Sequence, residues 1–271
     1  MPEGDTIHRA ARRLRPALEG ETLRRFEAPR LLGDRPRAGT VIERVEARGK
    51  HLLVHFADGL TLQTHMRMTG SWHLYRRAER WQKPAYLMRA LIEVDGWVAV
   101  CFAAPVVRTF RPGQPGGALG TSVDPTGHLG PDLCLPNADI GECVRRIATC
   151  IDHDEEIGAA LLDQRVACGV GNVYKSEVLF ACGIDPFTPV AGLDDTSRRR
   201  VIETASRLLR ANLGSGPRTT VAGGVAVYGR QHQPCRRCGT PIRMRRQGEQ
   251  ARSTYWCPTC QPPSPRPGTP A

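Results

Sequence analysis

Four cysteines near the C-terminus constrain the fold of this chain more than any other feature. Cys235 and Cys238 form one pair, and Cys257 and Cys260 form a second pair after 18 intervening residues. Two pairs with this spacing are typical of a hairpin that binds one zinc ion. Four thiolates close the tetrahedral shell, so such a zinc would be structural and would have no open position for catalysis. A redox pair or a chance spacing is the alternative.

Arginines surround the four cysteines. A zinc-bound hairpin rich in Arg can bind phosphate groups, although this pattern alone fits RNA, DNA or protein. The formal net charge of the chain is +11, which also favours a polyanionic partner, with nucleic acid ahead of an acidic membrane surface. The arginines of this region are Arg236, Arg237, Arg243, Arg245, Arg246 and Arg252.

The apolar content and the first residues predict a cytosolic protein. The sequence has no apolar run of about eighteen residues, so no membrane span is expected. Pro2-Glu3-Gly4-Asp5 is unlike the start of a secretory signal. The other cysteines stand in apolar surroundings and are predicted to be reduced thiols. They are Cys101, Cys134, Cys143, Cys150, Cys168 and Cys182.

The first residues also suggest a terminal nucleophile. Removal of Met1 would leave Pro2 as a secondary amine with Glu3 beside it. An α-amino group has a pKa of roughly 8, so about a tenth of it is uncharged near neutral pH and can form a Schiff base. Glu3 could transfer protons in the same reaction. The alternative is that these residues only begin a helix.

Apolar residues recur with helical spacing from Thr6 to about Leu18 and predict a helix. Asp5 or Thr6 is expected to cap its N-terminus. Pro16 is expected to kink or shorten its last turn. Such a helix would hold the chain directly behind Pro2.

Short β-like segments follow, from Glu21 to about Thr109. Asp58-Gly59 is a turn signal for a hairpin between two of them. Strands at this spacing predict an antiparallel sandwich or barrel. The strand candidates are 40–48, which alternates imperfectly, 51–56, 60–66 and 86–101.

The chain changes character near Arg111, where Pro and Gly become frequent, and we interpret Arg111 to Asn137 as a linker. Helical patterns dominate beyond it, and Gly214 ends the last of them. The residues from Pro262 onward are rich in Pro and are predicted to be disordered. Helices are predicted at 143–151, 155–162, 172–182 and 195–213.

Two turns have the composition of ligand-binding loops. Residues 163–174 contain a glycine-rich turn, after which Asn172 is predicted to cap the next helix and could present its N-terminus to a phosphate. An ordinary helix corner is the alternative, and these residues alone favour it. Lys50 lies at the predicted hairpin tip 48–51 and is one of three lysines in a chain dominated by Arg. A solvated side chain is the alternative for Lys50.

Taken together, these motifs resemble the formamidopyrimidine-DNA glycosylase and endonuclease VIII family of base-excision repair enzymes. The resemblance extends from Pro2 to about Gln261, with the motifs in the family's order. It implies an α+β multidomain fold, in which an N-terminal two-layer antiparallel β-sandwich precedes a helical domain with a helix–two-turn–helix motif and a zinc finger. The motifs are Pro2-Glu3-Gly4, Arg48-Gly49-Lys50, His128-Leu129-Gly130-Pro131-Asp132, residues 163–174, Val227-Tyr228-Gly229-Arg230 and the four cysteines.

The resemblance also implies domain boundaries and a partner. We expect a monomer that acts on damaged double-stranded DNA in the bacterial cytoplasm, in association with the nucleoid and without a membrane. The expected regions are a catalytic β-sandwich domain with its leading helix (1–122), a linker (123–138), the helix–two-turn–helix domain (139–226), the zinc finger (227–262) and a disordered tail (263–271).

The activity implied is that of a DNA glycosylase that is also an abasic-site lyase. In the family's mechanism the damaged nucleotide is flipped out of the duplex, Pro2 attacks C1′ of the deoxyribose, and β,δ-elimination cuts both sides of the lesion. Glu3 matches the proton-transfer carboxylate, and Lys50 matches a lysine that contacts phosphate near the reacting sugar. Met68 lies where the family inserts a side chain into the space left by the flipped nucleotide.

Four further residues are predicted to bind DNA from their positions in the matching motifs. Asn172 and Arg252 match residues that hold the DNA backbone around the flipped nucleotide. Gln164 lies in the glycine-containing turn, and Arg230 ends the Tyr-Gly-Arg motif.

Departures from the family pattern bear on the substrate. Many members carry a second Glu where this chain has Thr6, which puts one supporting carboxylate in doubt. The purine-specific branch has Arg-Arg-Phe-Gly in place of Ala104–Phe110, so the residue that would face the strand opposite the lesion is not identified. That branch also has a longer loop before Tyr-Gly-Arg, where Thr219 to Tyr228 is short. The last two departures favour the endonuclease VIII branch and oxidised pyrimidines. A purine-specific glycosylase is the alternative, and retention of Met1 would imply a catalytically silent binder of damaged DNA.

Overall fold

The computed structural model describes residues 2–113 and 124–263, and the chain forms two compact units. The N-terminal unit is Met1–His128, and the C-terminal unit is Leu129–Ala271. From residue 264 onward, the predicted disordered tail lies outside the residues that the structure describes. Within the described ranges, no helix is long and apolar enough to cross a membrane.

Helix α1 (Gly4–Leu18) leads the N-terminal unit and packs one apolar face into its core, where Ile7, Leu14 and Leu18 are almost fully buried. The expected shortening at Pro16 does not occur, because the helix continues to Leu18. Pro16 lies in the last turn and removes one backbone hydrogen bond. Burial of Leu18 outweighs that loss, since a buried Leu contributes roughly 1.5–3 kcal/mol.

The prediction that Asp5 or Thr6 caps α1 is wrong. The N-cap residue is Glu3, and its backbone carbonyl accepts hydrogen bonds from the N–H groups of Thr6 at 2.9 Å and Ile7 at 3.2 Å. Asp5 lies inside the first turn, where its carboxylate accepts a hydrogen bond from the Thr6 N–H at 2.7 Å. A negative charge there is stabilised by the positive end of the helix dipole.

The described strands of the N-terminal unit form two antiparallel four-stranded sheets. They are β1 (Arg25–Glu27), β2 (Ile42–Arg48), β3 (His51–Phe56), β4 (Thr61–His65), β5 (Ser71–Arg76), β6 (Met88–Val94), β7 (Trp97–Phe102) and β8 (Val106–Phe110). One sheet has the order β2-β3-β4-β8 and the other β1-β6-β7-β5. Side chains of both sheets, such as Val54 and Ile92, share one buried core with α1. The predicted two-layer β-sandwich is therefore confirmed.

The imperfect alternation in residues 40–48 has a structural cause. A β-bulge between Ile42 and Arg44 shifts the register of β2 against β3. Because of the extra residue, Ile42 and Val45 both face the core although two residues, an even number, lie between them. The predicted hairpin around Asp58-Gly59 joins β3 and β4.

The C-terminal unit is helical, with one two-stranded hairpin. Its helices are α2 (Ile140–Cys150), α3 (Ile157–Ala160), α4 (Asn172–Cys182) and α5 (Asp195–Ala211), and its strands are β9 (Arg243–Gln247) and β10 (Arg252–Trp256). Short 3-10 turns at Ala85–Leu87 in the first unit and Val190–Gly192 in the second complete the described elements.

Two of the predicted helices are shorter in the structure. Helix α3 covers only the centre of 155–162, because Glu156 is extended and its carboxylate accepts a hydrogen bond from Gln247 Nε2 at 2.8 Å. Helix α5 ends before Asn212, whose side chain binds both the N–H and the carbonyl of Thr219 at 2.8 Å. The partner of Glu156 is 91 residues away along the chain, whereas the partner of Asn212 is only 7 residues away.

Helix α4 lies at the centre of the C-terminal unit. Residues 172–180 are all buried, including Lys175 and Glu177, so the helix is enclosed on every side. It ends as predicted, with Gly183 in the left-handed conformation at φ 67°. The prediction that Asn172 caps it is wrong, because Gly171 is the N-cap and Asn172 is the first helical residue.

Candidate functional site

Pro2 and Glu3 stand at the head of the N-terminal unit on a well-anchored element. Pro2 is half-buried and Glu3 is fully buried. Helix α1 behind them packs against β2 and β3, and Arg15 donates a hydrogen bond to the carbonyl of Val45 at 2.8 Å. Glu3 therefore lies directly after Pro2 on an anchored element and is shielded from bulk water.

Lys50 lies in the two-residue turn between β2 and β3, as predicted. Arg48 and His51 form the closing pair, and Gly49 has φ 58°, a conformation that glycine adopts without strain. Glycine in the first central position is typical of the turns that suit the strand twist of a hairpin. The half-buried Lys50 side chain is thus placed by a rigid turn.

A group of polar side chains near Lys50 was not predicted from the sequence; Gln63 is buried, and His51, His65 and Arg108 are half-buried. The rings of His51 and His65 are in edge contact, with centroids 4.8 Å apart. Gln63 hydrogen-bonds to His51 Nδ1 and accepts a hydrogen bond from Arg108 Nε. These residues face one another across β3, β4 and β8. Polar residues on three neighbouring strands would have been the signal to find them.

The two histidines are neutral near physiological pH. Burial, followed by the positive charges of neighbouring basic groups, lowers the pKa of His51 to about 3 and that of His65 to about 4. Lys50 and Arg108 are among those groups. The two histidines therefore add no positive charge beside the cations Lys50 and Arg108.

Met68 lies in the turn between β4 and β5, and its side chain is 61% exposed. The preceding residue, Arg67, has φ 44°, which is strained for a residue other than glycine. The structure thus presents Met68 outward on a constrained turn.

Gln164 braces the turn that precedes α4. Its Nε2 donates to the carbonyls of Leu162 at 2.9 Å and Val170 at 3.2 Å, and its Oε1 accepts from the Gly169 N–H at 3.1 Å. The side chain thus fixes the backbone that delivers Asn172, which is 8% exposed, to the first turn of α4.

The Gly130-Pro131-Asp132 part of the third motif, His128 to Asp132, packs against the same turn. The Gly130 N–H donates to the carbonyl of Gln164 at 2.8 Å, and the Pro131 carbonyl accepts from the Cys168 N–H at 3.0 Å. A Cβ at position 130 would lie 2.5 Å from the carbonyl oxygen of Val166. Only glycine allows this close approach of two backbones.

Glu177 on α4 holds the segment that leads into Tyr-Gly-Arg. Its carboxylate accepts hydrogen bonds from the backbone N–H groups of Ala226, Val227 and Tyr228 at 2.7–2.8 Å, and one from the Thr220 hydroxyl. Glu177 is 1% exposed. Charge-assisted bonds of this kind are about twice as strong as neutral ones. No motif of the sequence marked Glu177 as a functional residue.

Arg230 is largely engaged within its own segment. Its guanidinium donates to the carbonyls of Ala226 and Pro234, the latter at 2.9 Å, and to Gln233 Oε1 at 3.1 Å. The residue predicted to bind DNA therefore links the loop held by Glu177 to the start of the cysteine hairpin.

The sulfur atoms of the four cysteines lie close enough together to bind a metal ion. Their sulfur atoms all lie within 4.8 Å of one another, with Sγ–Sγ distances of 3.4 Å for Cys238–Cys257, 3.5 Å for Cys238–Cys260 and 3.9 Å for Cys235–Cys260. Tetrahedral zinc with Zn–S bonds of roughly 2.3 Å requires sulfurs about 3.8 Å apart. The donor set and spacing fit structural zinc.

The arginines of the zinc finger have two roles in the structure. Arg236 donates to the carbonyls of Ala222 and Gly223 at 2.7 and 3.1 Å, and Arg237 lies over the ring of Phe180. Others are exposed on the hairpin, among them Arg252 on β10, which contacts Gln250. The hairpin thus combines arginines that hold the unit together with arginines directed to solvent.

Three family models match the chain in order. "Formamidopyrimidine-DNA glycosylase N-terminal domain" matches residues 1–110 and "Formamidopyrimidine-DNA glycosylase H2TH domain" matches 129–222. "Zinc finger found in FPG and IleRS" matches 233–263. The three regions carry, respectively, the Pro2-Glu3 pair, the turn before α4 and the four-cysteine site.

Individual proteins agree with these matches. The chain is 41% identical to a "Probable endonuclease 8 2" of Streptomyces coelicolor, over 99% of this chain and 97% of that protein. It is 37% identical to a "DNA-(apurinic or apyrimidinic site) lyase" of Mycolicibacterium smegmatis, over 96% and 99%. The crystal structure of the MutM (Fpg) protein of Thermus thermophilus matches with a TM-score of 0.76 at 29% identity, over 97% of this chain and 100% of that chain. The chain belongs to the formamidopyrimidine-DNA glycosylase and endonuclease VIII family, as its motifs predicted.

Proposed function

We propose that this protein is a DNA glycosylase with abasic-site lyase activity that removes oxidised pyrimidines from double-stranded DNA. The observation that carries the proposal is the fully buried carboxylate of Glu3 directly after Pro2, at the start of an anchored helix. A terminal amine that forms a Schiff base needs a nearby group to move protons while water is excluded. Glu3 has the position and the burial for that task.

The proposed reaction begins once Met1 is removed and Pro2 is a secondary amine. The Pro2 nitrogen attacks C1′ of the flipped nucleotide, the bond from C1′ to the base breaks, and Glu3 moves the protons that base release requires. The C1′–O4′ bond of the sugar ring then breaks and O4′ takes a proton, which leaves an iminium between Pro2 and C1′. The iminium acidifies C2′, so loss of a proton there expels the 3′ phosphate. A second elimination then expels the 5′ phosphate. Each cleavage conserves electrons and needs no redox partner.

Lys50, Asn172 and Arg252 are proposed to hold the phosphates around the lesion. The constrained turn supports a precisely placed ammonium at Lys50, and Asn172 lies in the first turn of α4, where N–H groups attract phosphate. Arg252 is exposed on the hairpin. Met68, outward on its turn, is proposed to fill the space left by the flipped nucleotide.

Gln164 and Arg230 are proposed to act on DNA mainly through the backbone that they hold. Their side-chain polar atoms bind carbonyl and N–H groups of their own segments. Changes to either residue should therefore misplace a DNA-contacting loop rather than remove one phosphate contact.

Two features support oxidised pyrimidines as the substrate. The segment from Thr219 to Tyr228 is short, and Ala104–Phe110 lacks the Arg-Arg-Phe-Gly element of the purine-specific branch. The likeness to a probable endonuclease 8 of Streptomyces coelicolor supports the same branch of the family. We further propose one structural zinc, a monomer and the domain limits expected from the sequence.

The test is borohydride trapping on a panel of duplexes that each carry one defined lesion. We expect a covalent adduct with thymine glycol and with an abasic site, and much less with 8-oxoguanine or undamaged DNA. Preference for 8-oxoguanine would indicate the purine-specific alternative. Binding without any adduct, together with a mass that includes Met1, would indicate a catalytically silent binder.

A further inference from the structure

Three turns lie close together at the edge of the sheet β1-β6-β7-β5 where strands β5 and β6 begin and strand β7 ends. They are the β4–β5 turn with Met68, the β7–β8 turn with Ala103, and the 3-10 turn with Tyr86. The Thr69 hydroxyl donates to the carbonyl of Ala103 at 3.1 Å, and the Ala103 N–H donates to the carbonyl of Leu87 at 2.7 Å. These two bonds tie the turn of Met68 to the turn of Tyr86 through one residue.

The backbone of this edge is strained and braced. Arg67 has φ 44° and Ala103 has φ 52°, both unusual for residues with a Cβ. Such conformations cost of order 1–3 kcal/mol each and concentrate at functional sites. Arg89 braces the third turn, because its guanidinium donates to the carbonyls of Tyr86 at 3.0 Å and Met88 at 2.9 Å.

The edge presents two large side chains to solvent. Tyr86 is 78% exposed and Met68 is 61% exposed, the two highest values among the large hydrophobic side chains that the structure describes. The surrounding sequence is cationic, since residues 65–73 and 80–89 contain no Asp or Glu but include Arg67, Lys83 and Arg89. An exposed ring on a braced cationic edge is suited to stack on a nucleobase.

The neighbouring strand β8 offers no comparable side chain. Phe110 is 5% exposed, and Arg108 is bound to Gln63. Strands β5 and β6 flank β7, so the turns of Met68 and Tyr86 are about two strand spacings, roughly 10 Å, apart. Side chains starting at that separation can reach the two strands of one opened base pair.

We propose that Tyr86 stacks on the orphaned base in the strand opposite the lesion. The inference rests on the proposed function, because an orphaned base exists only after a nucleotide is flipped. The Arg89 contacts already fix the backbone beneath the ring, so stacking orders only the side chain of Tyr86. Tyr86 is thus a DNA-contacting residue that no motif of the sequence indicated.

The experiment uses the zinc-loaded full-length protein and duplexes with a tetrahydrofuran abasic analogue opposite 2-aminopurine. Stacking on Tyr86 should quench 2-aminopurine fluorescence on binding. Tyr86→Ala should abolish the quenching and weaken binding about 5- to 100-fold, as expected for one lost base–aromatic stack. The dependence of affinity on salt should not change, because no phosphate contact is lost. Tyr86→Phe should retain both quenching and affinity.

Leu32→Ala is the matched control, because Leu32 is 60% exposed in the same unit but lies beside β8. It should bind like the wild type. Unchanged quenching in Tyr86→Ala would overturn the proposal, and so would a Tyr86→Phe variant as weak as Tyr86→Ala, since the hydroxyl would then make the contact. Failure of the proposed function is distinguishable, because the wild type itself would then form no borohydride adduct.

Discussion

In the N-terminal unit the candidate catalytic residues are positioned mainly by apolar burial, whereas in the C-terminal unit the candidate DNA-binding segments are positioned by buried polar groups. Helix α1 fixes the position of Pro2 and Glu3 because its apolar face is buried in the core of the sandwich. By contrast, Glu177 places its loop through three backbone N–H groups.

A second polar chain shows the same difference. The fully buried Lys175 donates to the Thr254 hydroxyl at 2.6 Å, and that hydroxyl donates to Gln247 Oε1 at 2.7 Å. Gln247 continues the chain to Glu156 at 2.8 Å. These bonds connect α4, the cysteine hairpin and α3. Directional bonds specify one arrangement, but each depends on every partner being present. We therefore expect the C-terminal unit to lose its structure abruptly when one buried polar partner is removed. The N-terminal unit should lose stability gradually as its apolar contacts are removed.

The largest effect is expected from the zinc ligands. Cys257→Ser should abolish zinc retention and DNA binding while the N-terminal unit stays folded, because the closed thiolate shell cannot lose a ligand. Metal content, DNA affinity and tryptophan fluorescence of the sandwich measure the three outcomes. Cys150→Ser is the control, since Cys150 is an exposed thiol outside the cluster. Stoichiometric zinc with normal DNA affinity in Cys257→Ser would contradict the prediction.

Glu3→Gln should lower base release by about 10²–10⁴-fold without weakening binding of lesion DNA. The amide keeps the volume of the side chain but cannot exchange the proton. Abasic-site cleavage should persist in part, because no base has to leave in that step. Single-turnover rates on lesion and abasic duplexes measure the two steps separately.

Pro2→Gly tests the nucleophile of the same reaction. It should lose most base release and still bind DNA, and some cleavage of abasic DNA can persist through the glycine amine. Lys50→Ala should slow the borohydride adduct without removing it. If Lys50→Ala eliminates the adduct and Pro2→Gly leaves it intact, the nucleophile is Lys50 and the proposed role of Pro2 is wrong.

Glu177→Gln should destabilise the C-terminal unit by about 2–4 kcal/mol, because an amide cannot accept from all the N–H groups that the carboxylate binds, and buried donors are left unpaired. Thermal or urea unfolding measures the loss. Glu203→Gln is the control, since Glu203 is exposed on α5. Equal stability of the two variants would show that the loop does not depend on the carboxylate.

The last prediction concerns the half-buried histidines of the N-terminal unit, whose effect on stability depends on pH. Their pKa values in the folded protein, about 3 for His51 and about 4 for His65, lie below the ordinary 6.5. The unfolded chain therefore binds more protons below pH 6.5, so the stabilisation is complete above that pH and is lost as the pH falls toward 4. Between pH 7 and 4 the wild type should lose on the order of a few kcal/mol of unfolding free energy.

His51→Asn should flatten that pH dependence, because it removes one of the two histidines whose pKa is lowered in the folded protein. His153→Asn, the same change at an exposed histidine of the C-terminal unit, should leave it unchanged. Urea unfolding at a series of pH values provides the measurement. An identical slope in the wild type and His51→Asn would show that the histidine pair does not set the acid response.

Short-range patterns made much of this molecule predictable. The spacing of the four cysteines indicated the metal site, Asp58-Gly59 indicated a hairpin, and helix α4 has the predicted bounds. The order of the motifs led to the family. Each of these signals depends on residues close together in the chain, where the physical reason acts over one turn, one hairpin or one ligand pair.

What the sequence by itself determined was therefore the fold class, the family, the metal site and the placement of Pro2-Glu3 at the start of a helix. Only the tertiary structure decided that Glu3 caps that helix, that Glu177 and Arg230 hold a loop, and that Tyr86 shares an edge with Met68. The reason is physical. A buried carboxylate such as Glu177 meets partners about fifty residues away, and no local pattern specifies which distant N–H groups will satisfy it. Packing alone brings those groups together.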